Sequence, residues 1–170
     1  MGCGQHAKRR MRLEPGLFFD QHSDCSAADE IEQSVRGDHL SVSENKRLIR
    51  EAFRPWESGD SKPFFDLIAD DVDWTVIGTT QVSGVYRSKQ DLIDRAFGLL
   101  LDRLDGGLRT RFVDLAMEGD KAFLRFESSG VSKTGVRYEQ AYCWAMVMRN
   151  RRIVEITAYL DTDLLRRVFD

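Results

Sequence analysis

The stretch LRTRFVDLAMEGDKAFLRFESSGVSKTGVRYEQAYCWAMVMRNRRIVEITAYLD, Leu108 to Asp161, decides the fold. Its apolar residues recur at a period of two, and turn signals interrupt it at Gly119-Asp120, Ser132 to Gly135 and Asn150-Arg151. Four strands are therefore expected: Leu108 to Glu118, Lys121 to Gly130, Val136 to Arg149 and Arg152 to Asp161. Turns this short join neighbours as hairpins, so the sheet is expected to be antiparallel.

Upstream the period is helical. Ser43-Glu44-Asn45-Lys46 offers a cap and an acidic first turn, and Leu48, Ile49, Ala52, Phe53 and Trp56 follow at helical spacing, which predicts a first helix to about Glu57. Pro55 should kink that helix or end its regular part, and Ser58-Gly59-Asp60 supplies the stop. A second helix is expected over Lys62 to Ala69. Val72 to Gly78, rich in β-branched and aromatic residues, reads as a strand. Gly84 to Ser88 reads as a turn into a third helix, capped by Ser88 with Asp91 three residues on, which carries Leu92, Ile93, Ala96, Phe97, Leu100, Leu101 and Leu104 and is ended by Gly106-Gly107. Thr162 to Phe169 reads as a short last helix. Helices first and hairpin strands afterwards make an α+β domain, residues 43–170. Residues 1–42 sustain no period and are rich in polar residues, so they are expected to be a disordered extension.

Composition narrows the function classes. The 170 residues are 42% hydrophobic and 31% charged, enough for one stable core. The net charge of -3, with both signs interspersed, lacks the basic stripe that nucleic acid requires. No apolar run approaches the roughly 20 residues of a membrane span, and Leu17-Phe18-Phe19 is too short for a signal-peptide core, so a cytoplasmic address is expected. His6, His22 and His39 all precede the domain, which removes the commonest general base and zinc ligand from it. Cys3, Cys25 and Cys143 form no close-spaced metal pair. Cys143 reads as a buried small hydrophobe with no histidine to activate it. No phosphate loop or nucleotide fingerprint occurs, so neither metal nor cofactor is expected.

Three local stretches carry a resemblance to a known family: Glu57-Ser58-Gly59-Asp60 closing the first helix, Leu67 to Trp74, and Arg152 to Ile156 running on to Tyr159-Leu160-Asp161. With the element order they resemble the nuclear-transport-factor-2-like superfamily, in its SnoaL-like and ketosteroid-isomerase-like branch, over about Glu44 to Asp170. The resemblance implies a cystatin-like α+β barrel, in which a cone-shaped, curved antiparallel sheet packs around three N-terminal helices and encloses a pocket. It implies a homodimer, and a small hydrophobic molecule as ligand or substrate. It leaves the reaction open, because this fold hosts isomerases, epoxide hydrolases, cyclases, dehydratases and pockets without chemistry. Where ketosteroid isomerases carry an aspartate base and a tyrosine/aspartate oxyanion hole, this chain has Val76, Ala52 and Cys143 or Trp144. Where limonene-epoxide-hydrolase-like enzymes carry their water-activating set, it has Trp74, Val76, Arg125, Glu127 and Ala158, so only the middle pair survives.

Candidate site residues follow. Arg125 and Glu127, two apart, leave the same face of a strand. If that face is concave, they form an acid/base pair; if Leu124 and Phe126 are the core side, they are a solvated cross-strand pair. Tyr142 and Asp161 complete the catalytic candidates, and Asp161 reads equally well as the cap of the last helix. Gln140, Tyr142, Trp144 and Met146 share the bulky face of the longest strand, facing a cavity or a dimer partner. Trp56, Trp74, Val76, Gln140, Trp144 and Ala158 are the expected pocket lining. Two function classes stand at this point: a cofactor-independent acid/base enzyme of isomerase, hydrolase or lyase type, and a binding or structural domain without turnover.

Overall fold

A computed structural model describes residues 42–170. The expected extension, with the three histidines, Cys3 and Cys25, lies outside these described residues save for Val42, which is helical. The described part of α1 covers residues 42–53. At Pro55 the helix tightens into a 3-10 turn, Arg54–Ser58. Proline cannot donate within an α-helix, so the change of winding falls where the sequence predicts it. The turn is pinned to the sheet from two sides: Thr110 Oγ1 donates to the Trp56 carbonyl at 3.0 Å, and the Phe112 N–H donates to Glu57 Oε1 at 2.9 Å.

The remaining elements are α2 (Lys62–Leu67), β1 (Ile68–Val76), β2 (Gly84–Tyr86), α3 (Lys89–Leu92), a π-helical turn (Ile93–Phe97), α4 (Gly98–Arg103), β3 (Leu104–Glu118), β4 (Lys121–Ser132), β5 (Arg137–Arg149), β6 (Arg152–Tyr159) and α5 (Thr162–Phe169). They form a curved six-stranded sheet in the order β2-β1-β6-β5-β4-β3, not closed into a barrel. Every pair is antiparallel except β1 with β6, which is parallel. That pair corrects the expectation of a wholly antiparallel sheet. The chain between its two strands includes the α3–α4 helical segment and four strands, ample for the crossover a parallel pair needs.

Boundaries shift where packing overrides local propensity. Ile68 and Ala69, read as the end of the second helix, begin β1. A large register shift separates Ile68 and Asp73 along β6. Lys89 Nζ holds this irregular entry: it donates to the carbonyls of Phe65 at 3.3 Å and Ile68 at 3.1 Å and pairs with Asp70 at 2.7 Å. Gly84 to Tyr86, read as a turn, forms the edge strand β2. Leu104, read as helical, opens β3, and Gly106-Gly107 lies within that strand rather than beyond a helix. Both glycines have φ near +80°, open to glycine without strain, and they absorb the register shift between Asp105 and Arg109. Ser88 caps α3 as expected, accepting from the Asp91 N–H at 3.0 Å, and α5 matches its expected span.

One face of the sheet meets the helices. Along β4 exposure alternates strictly, with Ala122, Leu124, Phe126 and Ser128 buried and the residues between them exposed. From β5, Tyr138, Gln140, Trp144, Met146 and Met148 are buried against the same core as Ile49 and Phe53 of α1 and Phe64 and Phe65 of α2. No helix among the described residues is long and apolar enough to cross a membrane.

Candidate functional site

Aromatic side chains meet where the helices cover the concave face. Phe126 stacks on Tyr142 with ring centroids 4.7 Å apart and meets Trp144 edge-on at 4.7 Å. Trp144 in turn meets Trp74 edge-on at 4.8 Å. Such large rigid groups from separate elements cannot fill space completely, and they leave a cavity of about 70 Å³. The space opens toward solvent rather than being enclosed, so a bound molecule is not limited to that volume. The sheet contributes Trp74, Val76, Phe126, Ser128, Tyr142, Trp144 and Ala158 to its wall. The helical side contributes Trp56, Phe65, Leu92, Ala96, Phe97, Leu100 and Leu165.

One helical segment, running from α3 through the π turn into α4, supplies four of these. The Gly98 N–H bonds the Ile93 carbonyl five residues back, widening the helix by a residue. A Cβ at Gly98 would stand 2.7 Å from that carbonyl oxygen, so the turn requires glycine there.

Of the residues singled out from sequence, Trp56, Trp74, Val76, Tyr142, Trp144 and Ala158 line the cavity. Gln140 does not. It is 2% exposed, and its amide clasps the backbone of Asp161: Nε2 donates to the Asp161 carbonyl at 2.8 Å and Oε1 accepts from the Asp161 N–H at 2.9 Å. This corrects its reading as pocket lining, because both ends of the amide are engaged in continuing the sheet to Asp161. The carboxylate of Asp161 is engaged as well. It caps α5, accepting from the N–H groups of Asp163 at 2.9 Å and Leu164 at 3.0 Å.

Arg125 and Glu127 lie on the exposed face of β4, opposite Leu124 and Phe126. Glu127 pairs with Arg111 across the sheet at 2.7 Å, and Asp114 stands opposite Arg125. The concave placement considered for them is thereby corrected: the apolar side of β4 faces the core, and the alternation of the strand carries the charges outward. Cys143 shares that outer face and is partly exposed, not buried. No cluster of histidine, cysteine and carboxylate side chains suited to a metal occurs among the described residues.

The polar chemistry inside is phenolic and indolic. The hydroxyls of Tyr138 and Tyr142 are 2.6 Å apart. Burial pushes the Tyr142 phenol well above its ordinary value and raises that of Tyr138, so both stay protonated at neutral pH. Tyr86, whose hydroxyl donates to the Val82 carbonyl at 2.7 Å, is raised by burial too. A phenol raised in the folded state releases its proton more readily once unfolded. Above about pH 10 the unfolded chain therefore binds fewer protons, and stability falls as pH rises. The expected slope is up to about 1.4 kcal/mol per pH unit for each tyrosine. Tyr138→Phe with Tyr142→Phe should flatten it, as read by urea unfolding between pH 8 and 11; an unchanged slope would show that these phenols do not set the alkaline limit.

Two features escaped the sequence reading. The apolar residues of α3, the π turn and α4 were legible as a helical face but not as cavity wall. The indole nitrogens of Trp74 and Trp144 are buried and have no hydrogen-bond partner among the described residues.

Comparison with known proteins agrees with this architecture. Residues 49–156 match the model of the SnoaL-like domain. An NTF2-like protein from Burkholderia thailandensis superposes with a TM-score of 0.64 at 20% identity, covering 74% of this chain and 97% of that one. TerC, co-crystallised with polyporic acid, superposes with a TM-score of 0.61 at 16% identity, covering 73% of this chain and 96% of its own. A protein with a cystatin-like fold from Xanthomonas campestris gives a TM-score of 0.58 at 24% identity over 70% of this chain and 92% of that one. No curated protein matches. With the family model spanning well over half of its length, the chain belongs to the SnoaL-like domain family.

Proposed function

We propose that the concave face of this SnoaL-like domain binds a small, largely apolar molecule without acid/base turnover. The observation that carries this reading is the cavity wall, which is apolar apart from Ser128, Tyr142 and the indole nitrogens. Proton abstraction needs a base within hydrogen-bond reach of the substrate. Glu127 is paired on the outer face and Asp161 is committed to a helix cap, while Tyr142, protonated at neutral pH, is a donor. An apolar wall with few polar groups is the usual make-up of a small-molecule site. TerC, which shares the fold, was co-crystallised with polyporic acid, an organic ligand.

α-Methylstyrene, titrated while the three indole N–H signals are followed by NMR, should bind saturably. Leu100→Trp, which fills the cavity, should abolish the binding while leaving the circular dichroism of the fold intact. Absence of saturable binding to the unaltered protein would sink the reading.

The outer face supports a second copy of the chain as partner. Phe123 and Tyr159 are each 48% exposed there, flanking the small residues Cys143 and Ala145. An apolar patch of this kind marks an interaction surface. The Arg111, Asp114, Arg125 and Glu127 charges beside it carry both signs, which suits a self-complementary two-fold contact. Sedimentation should show a dimer at micromolar concentration, and Phe123→Glu should shift it to monomer; a monomeric native protein would end this assignment.

A further inference from the structure

The half-buried residues of the cavity wall mark its mouth. They are Val76, Phe97, Leu108, Tyr142 and Leu160, and the rest of the lining is buried. Val76 closes β1, Leu160 follows β6 and Leu108 lies near the start of β3, which the strand registers place at the same end of the sheet. From that end of β1 the chain runs through Ile77 to Ser83 and returns as β2. Val82 of this loop is 3% exposed and lines the cavity, so the loop is one lip of the mouth. Gly78, with φ +95°, and Gly84, with φ +149°, bracket it in backbone space that favours glycine. Between them Ser83 braces the loop, accepting at Oγ from the Thr80 N–H at 2.9 Å and donating its own N–H to the Thr80 carbonyl at 3.0 Å. Two bonds tie this braced unit down across the glycines: the Tyr86 hydroxyl donates to the Val82 carbonyl at 2.7 Å, and Ser83 Oγ donates to the Ile77 carbonyl at 2.9 Å.

We propose that Thr79 to Ser83 form a lid, hinged at Gly78 and Gly84 and latched by the Tyr86 hydroxyl, which swings to widen the mouth and closes Val82 over the bound molecule. The inference rests on the binding reading above and adds the route of entry and exit. Hinges of lids are a few residues that absorb a change of backbone angles. Opening breaks the two ties and uncovers one buried apolar side chain, Val82. The other movable element at this end, α5, would uncover Leu164, Leu165, Val168 and Phe169 and is also held by the Gln140 clasp and by Arg103, whose guanidinium lies 5.3 Å over the Phe169 ring. Apolar burial therefore makes the loop the easier of the two to move. Tyr86 is not part of the cavity wall, so its latch holds the lid alike with the cavity empty or filled. Loss of the latch should then speed entry and exit by the same factor.

The test measures the rates at which α-methylstyrene binds and leaves, read from exchange of the indole N–H signals. The chain has three tryptophans, and all three line the cavity, so every indole signal reports on it. In Tyr86→Phe, which keeps the ring beneath Arg95, entry and exit should each quicken roughly five-fold, the factor that one hydrogen bond of ordinary net strength is worth. The affinity should stay within about two-fold, because both rates change together. A merely structural role for the hydroxyl would not raise both rates at constant affinity. In the unaltered protein, which needs no variant to fold, saturation with α-methylstyrene should slow amide exchange at Val82 and Ser83 about three-fold or more, as a lid closed on its ligand opens less often. Unchanged rates in Tyr86→Phe overturn the lid while leaving the binding reading intact. Loop amides that the probe leaves untouched do the same. Failure of the probe to bind the unaltered protein overturns both.

Discussion

Phe53→Ala is expected to lower the stability of the domain by about 3–5 kcal/mol, the upper range for removing a buried aromatic side chain. For a domain of this size that is a fall in melting temperature of roughly 10–20 °C. Phe53 is 0% exposed, and its ring lies within 5.8 Å of the rings of Trp56, Phe64, Phe112 and Phe126. These neighbours belong to the 3-10 turn, α2, β3 and β4, four elements with separate backbone anchors, so they cannot all move in to fill the hole. Two of them, Trp56 and Phe126, also form the cavity wall. The truncation should therefore weaken ligand binding together with stability. Urea unfolding with an unchanged m-value would check the first effect, and titration with α-methylstyrene the second. A stability loss below about 1 kcal/mol would mean that the cluster collapses readily, and that Phe53 does not brace the site.

Gln140→Leu should cost about 2–4 kcal/mol despite its conservative volume. Leucine removes both partners of the Asp161 backbone, leaving its partly buried N–H and carbonyl without the amide that pairs them. Asp161 begins α5, and Leu165 of that helix lines the cavity. Loosening the clasp should thus free the helix that closes one side of the site. Amide exchange should quicken at Asp163, Leu164 and Leu165 more than in β4. Uniform exchange across the domain would instead assign the loss to general destabilisation, and an unchanged stability would remove the clasp from the account.

The charged pair on β4 shows how sequence and structure divide the work. A spacing of two puts Arg125 and Glu127 on one face of any strand, and Leu124 and Phe126 on the other; that much follows from the pleat. Which face is concave depends on what covers it. The helices bury their own apolar stripes against the leucine and phenylalanine side, so the hydrophobic effect turns the charges outward. Gln140 marks the opposite case. Its position among bulky inward residues was legible, but its amide could be assigned to the Asp161 backbone only when β5 and the start of α5 were seen side by side, twenty-one residues apart in the chain.

Local chemistry by itself determined the hairpin strands, the break at Pro55, the Ser88 and Asp161 caps and the last helix, because period, turn residues and caps act over a few residues. Tertiary structure alone decided the parallel pairing of β1 with β6, the entry of Ile68 and Ala69 into the sheet, the π turn, whose Ala96 and Phe97 line the cavity, and the meeting of Trp74 with Trp144. Those outcomes are settled by packing between segments far apart in sequence, where burial and shape outweigh the weak preferences of each segment alone.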